Sequence, residues 1–145
     1  MSTPTVFGFP RRTANGVDGN RLILLIAVLE KRAGFNLGSQ DVYLNVVGGM
    51  KINEPATDLR IILSVASSFK NISIPDDVAV VGEVGLTGEV RSVNMIEKRV
   101  KEIEKLGYKK CLIPKSNQKV LKDDFKLDII GIENVNDALK YLKLK

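Results

Sequence analysis

Short runs of β-branched residues alternate along this chain with stretches whose apolar residues recur at helical spacing, which restricts it to an α/β, two-layer α+β arrangement of helices on strands. The first helix is predicted over 19–33, with Asp18 ahead of it as N-cap and Gly34 as its stop. Its segment Leu22-Ile23-Leu24-Leu25-Ile26-Ala27-Val28-Leu29 is apolar all round rather than along one stripe, which predicts burial on several sides or at an interface. A β-rich run over 42–47 leads into the turn Gly48-Gly49. Pro55 then marks the first turn of a second helix, in which Leu59, Ile62, Leu63, Ala66 and Phe69 recur at helical spacing.

Residues 78–84 read as a strand, and Gly85-Leu86-Thr87-Gly88 turns it into a short returning strand over 89–91. A third helix is predicted over 95–106, with Ile96, Val100, Ile103 and Leu106 as its stripe, a capping box of Asn94 with Glu97, and Gly107 as its stop. A strand over 110–113 closed by Pro114, a short helix over 116–121 and a strand over 128–132 follow. Asn134, with Asp137 three residues on, caps a final helix running to Leu142. No repeat, low-complexity tract or linker interrupts the 145 residues, so the chain reads as one domain over 1–145, with a basic arm over 1–20.

With 44% hydrophobic and 27% charged residues the composition is that of a soluble globular protein. The longest apolar run has eight residues, far short of the roughly 20 needed to cross a bilayer, and the N-terminus lacks an export signal, so a cytoplasmic protein without a membrane partner is expected. The net charge of +5 is uneven: residues 1–40 carry five basic against two acidic side chains, 41–94 four against seven, and 95–145 thirteen against eight. Two basic ends raise the prospect of a polyanionic partner, although a lysine-rich solvated surface gives the same balance.

Cys111 is the sole cysteine and histidine is absent. No intramolecular disulfide can form, zinc's preferred ligands are nearly missing, and every mechanism that needs a histidine base is excluded. No metal or cofactor is expected in this chain. An enzyme would have to work with a hydroxyl and a lysine, or with carboxylates. Two helix starts offer such groups, Glu54-Pro55-Ala56-Thr57-Asp58 and Asn94-Met95-Ile96-Glu97-Lys98, because a helix N-terminus presents unpaired N–H groups to an oxyanion.

From Val42 to Asn117 the order of elements, with Gly82-Glu83-Val84-Gly85-Leu86-Thr87-Gly88-Glu89-Val90 and Leu112-Ile113-Pro114, resembles the proteolytic domain of Lon proteases. That resemblance implies a Lon proteolytic-domain-like fold and a Ser-Lys dyad, whose serine falls on Ala56 and whose lysine falls on Glu97. Neither residue can do the chemistry. Thr57 and Lys98 are adjacent, but one step along a helix turns a side chain by about 100°. A peptidase with a rearranged Ser/Thr-Lys site is the competing reading.

A longer match runs through Arg11-Arg12-Thr13-Ala14, Gly16-Val17-Asp18, Asn20-Arg21-Leu22, Leu29-Glu30-Lys31-Arg32-Ala33-Gly34, Gln40-Asp41-Val42, Gly48-Gly49 and Glu54-Pro55-Ala56. Together these are similar to the C-terminal Lon-like domain of the bacterial RadA (Sms) family of DNA repair proteins. The resemblance implies a hexameric ring acting on duplex or branched DNA in recombinational repair and branch migration, with a recombinase as a further partner, and with ATP, magnesium and zinc belonging to a RecA-like ATPase and a zinc finger that this chain lacks. Arg11, Arg12 and Arg21, with Lys31 and Arg32, are the candidate phosphate contacts, since a guanidinium can grip two phosphate oxygens at once. Salt bridges across a subunit boundary, or exposure to water, would equally suit them.

Overall fold

The computed structural model describes residues 2–4, 12–15, 19–36, 40–45, 54–122 and 124–145. Strands β1 (Ser2–Pro4) and β2 (Arg12–Asn15) flank β3 (Gln40–Asn45), β1 antiparallel and β2 parallel to it. The arm expected over 1–20 is therefore partly sheet. The strand expected over 42–47 begins two residues earlier, and Gly48-Gly49 lies outside the described residues.

Helix α1 (Gly19–Arg32) ends as predicted, Gly34 taking a φ of +76° that L-residues resist. Its apolar run is not covered all round. Leu25, Ile26, Val28 and Leu29 are buried against α2 (Asp58–Lys70), whereas Ile23 is 53% exposed and Leu24 40%. Helix α2 follows a single 3-10 turn, Pro55–Thr57, and is the more enclosed of the two: Ile61 and Val65 are buried beside the predicted Leu59, Ile62, Leu63 and Ala66.

The second sheet is wholly parallel, in the order β4 (Val78–Val80), β7 (Lys110–Pro114), β8 (Asp128–Ile132). Helix α3 (Ile96–Lys105) leads into β7, and α4 (Lys115–Gln118) links β7 to β8. Central β7 is buried on both faces, as parallel strands under helical cover must be. Its Leu112 joins the cluster built by α1, α2 and α5 (Val135–Tyr141); Cys111 and Ile113, alternating with it, join Val100 and Ile96 of α3. Burial pushes the Cys111 thiol up to about 12, leaving it unreactive in the folded chain.

The strand expected over 78–84 is broken at Gly82. Its N–H donates to Ala56 O at 2.9 Å and its carbonyl accepts from Leu59 N–H at 3.0 Å, which clasps it to the start of α2 before the chain enters the hairpin of β5 (Glu83–Val84) and β6 (Val90–Arg91). Across the hairpin turn, Glu89 accepts from the Thr87 hydroxyl and from Arg91, which lower its carboxyl to a pKa of about 2. Val90 N–H donates to Glu133 O, and Val135 N–H to Gly88 O, docking the hairpin on the β8–α5 junction. Asn134 caps α5 as predicted, accepting from Asp137 N–H at 2.9 Å. Leu106 departs from the predicted stripe of α3 at 75% exposed, because the helix has already ended at Lys105.

A Cβ on Gly82 would meet Val90 Cγ1 at 3.0 Å and Leu59 Cδ2 at 3.3 Å, two buried side chains with little room to retreat. Gly82→Ala is expected to destabilise the chain by about 1–3 kcal/mol, measured as a lower urea midpoint.

Candidate functional site

The two helix starts singled out in the sequence face one cleft of about 710 Å³, floored by β4 and lined by Ala56, Thr57, Lys98 and Arg99 among others. At the first start, Pro55 supplies the fixed φ of an opening turn. Ala56 is buried there, with only a methyl group to offer. The N–H groups that would cradle an oxyanion are already taken by backbone carbonyls: Thr57 N–H by Glu54 O at 3.0 Å, Asp58 N–H by Pro55 O, and Leu59 N–H by Gly82 O at 3.0 Å. The Thr57 hydroxyl also donates to Glu54 O, at 2.7 Å.

At the second start the capping box does not form. Met95 sits in the left-handed region (φ 55°, ψ 40°) as N-cap, so the helix begins at Ile96 and Glu97 falls one position short of the third residue a box requires. Asn94 is instead held by Arg99, whose Nε donates to Asn94 O and whose Nη2 donates to Asn94 Oδ1, both at 2.8 Å. The same guanidinium pairs with Glu54 Oε1 and so joins the two helix starts. Glu97 does not line the cleft; its Oε1 accepts from Lys122 N–H at 3.3 Å. Lys98 does line it, with an exposed side chain.

Beneath the first start lies a buried ion pair. Asp58, 1% exposed, accepts from Arg21 Nε at 2.5 Å and Nη2 at 2.6 Å, and its Oδ2 also accepts from Val84 N–H at 3.1 Å. Arg21, itself only 26% exposed, is thereby engaged inside the chain; a phosphate at this place would have to displace a buried carboxylate. The other predicted phosphate contacts are distributed differently. Lys31 and Arg32 are exposed at the end of α1, where the Arg32 stem packs on Gly88 and its carbonyl accepts from Asn136 Nδ2 at 2.9 Å. Arg11 lies outside the described residues, and of Arg12 only the backbone, in β2, is described.

Sequence reasoning did not find Asp58 or Arg99. An aspartate in the first turn of a helix reads as a solvated partner of the helix dipole, and Arg99 carries no motif. The one available hint was Arg21 itself, a charge leading into an apolar run. Among the described residues, no group of three His, Cys, Asp or Glu side chains is placed to hold a metal ion, and no helix is long and apolar enough to cross a membrane.

Residues 16–117, which include the ion pair and both helix starts, match the family described as Subunit ChlI of Mg-chelatase. The chain belongs to that family. Over 140 residues, 97% of its length, it is also 51% identical to the DNA repair protein RadA of Bacillus subtilis, 46% identical to that of Listeria monocytogenes and 45% to that of Streptococcus pneumoniae. The chain spans only 31–33% of the length of these relatives.

Removing one partner of a buried pair strands the other charge, whereas removing both does not. Arg21→Met alone is expected to cost about 3–5 kcal/mol in urea unfolding, and Arg21→Met with Asp58→Leu distinctly less than the sum of the single changes. Additive losses would contradict the pairing.

Proposed function

We propose that this chain is a non-catalytic module of a RadA-type DNA repair protein, with a Lon-like fold, that binds DNA and helps assemble a ring. What supports the repair context is that relatives matching nearly the whole chain at 45–51% identity are DNA repair proteins of the RadA name. The observation that carries the non-catalytic part is the closed helix start: Ala56 offers no nucleophile, and the N–H groups of Thr57, Asp58 and Leu59 are all engaged by carbonyls. A nucleophile without an oxyanion cradle forgoes roughly 10²–10³ in rate per missing donor.

In this reading the fold is retained as a scaffold. Arg11 and Arg12 of the arm, with Lys31 and Arg32 at the exposed end of α1, hold the phosphates of duplex or branched DNA; Arg21 anchors α1 instead. Ile23 and Leu24, uncovered on α1, meet another copy in the assembled ring. Branch migration, ATP hydrolysis with magnesium, zinc binding and any recombinase contact fall to segments of the longer protein, in the cytoplasm.

Titrating duplex DNA of unrelated sequences at several salt concentrations tests this. Binding should be insensitive to sequence, and replacing Arg11, Arg12, Lys31 and Arg32 by alanine should lower the affinity and flatten the salt dependence by about 0.9 in log–log slope per lost contact. Unchanged binding would leave a scaffold only. Peptide hydrolysis by the chain, abolished by Thr57→Ala or Lys98→Ala, would replace this reading with the peptidase one.

A further inference from the structure

The cleft is floored by β4, one edge of which is unpaired among the described residues. Strand β4 pairs with β7 in parallel register, Val80 opposite Leu112, and Val81 N–H donates to Leu112 O at 2.9 Å. In a parallel pair, alternate residues turn their N–H and C=O to the same neighbour. Ala79 and Val81 therefore address β7, while Val80 presents both backbone groups on the opposite side, together with the carbonyl of Val78. Among the described residues no strand pairs with that side. Val78 and Val80 line the cleft, so this edge opens into it.

The walls suit an extended chain. At the end where α2 and α3 begin, Arg60 and Lys98 are exposed; at the end where α3 stops, Asp76 and Glu102 are exposed. A large apolar side chain stands at each end, Met95 at 60% exposure and Leu106 at 75%. Open edge strands flanked by exposed apolar groups invite pairing by another chain.

We propose that this cleft binds an extended peptide segment, which adds as a strand to the free edge of β4, carries apolar side chains at alternate positions and sets an acidic group between Arg60 and Lys98. Main-chain hydrogen bonds to Val78 and Val80 supply affinity, and the charged ends fix direction. The peptide is held without being cut, and the groove is separate from the basic end of α1, so this site and the DNA reading stand or fall independently.

A random-peptide phage library panned against the full chain tests this, with enriched sequences then synthesised and titrated by fluorescence anisotropy. Enriched peptides should share alternating apolar residues and an acidic residue toward one end. Arg60→Glu with Lys98→Glu, both at exposed positions, should weaken them by about tenfold or more. N-methylation of alternate peptide amides should do the same, as should Val80→Pro, which removes the outward N–H. Duplex DNA binding by the charge-reversed chain, measured in the same samples, should persist. The proposal is overturned if no sequence is enriched, if the enriched peptides lack an acidic end, or if charge reversal and N-methylation leave their affinity unchanged.

Discussion

Everything around the cleft is positioned by the contact between Arg21 and Asp58. A carboxylate that is 1% exposed would be costly alone; here two guanidinium donors and the Val84 amide occupy its lone pairs. One carboxylate thus binds three elements: α1 through Arg21, α2 through its own backbone, and the hairpin through Val84. Gly82 completes the join by clasping the turn immediately before Asp58. The apolar faces of α1 and α2 then meet in fixed register, and the large cluster spanning α1, α2, β7 and α5 follows from that.

The same join ties up the turn that opens α2. Its carbonyls and amides satisfy one another and Gly82, its hydroxyl points back at Glu54 O, and Arg99 holds Glu54 and Asn94 together. Polar groups paired within one network hold one another in place. A lysine and a hydroxyl line the neighbouring cleft, but the amides of Thr57, Asp58 and Leu59 are already engaged by carbonyls. Beside that turn lies the cleft, floored by β4 and bordered by α2 and α3.

Local signals were legible in the sequence and distant ones were not. Gly34, Gly107 and the Asn134–Asp137 cap each act within one turn of chain, and each stands where the residues predicted. The α/β alternation held for the same reason. The Asn94–Glu97 capping box failed because Arg99 claims Asn94 from a turn away, and the strand over 78–84 broke because Gly82 is held by residues some 25 positions earlier. Arg21 and Asp58 are 37 residues apart, so no periodicity could join them, and the sequence displays the charge of Arg21 without its partner. The apolar run of α1 was legible as unusual, but only the fold separates its buried Leu25, Ile26, Val28 and Leu29 from its exposed Ile23 and Leu24.

The proposed function divides the surface, giving the helix starts to the scaffold and the basic arm with the end of α1 to DNA. Amide chemical shifts of the isotope-labelled chain, followed as duplex DNA is added, test it most directly. The account predicts shifts at Lys31, Arg32 and their neighbours in the arm, while Ala56, Thr57 and Lys98 stay where they are. Shifts centred on Ala56, Thr57 and Lys98, with Lys31 and Arg32 unmoved, would contradict it.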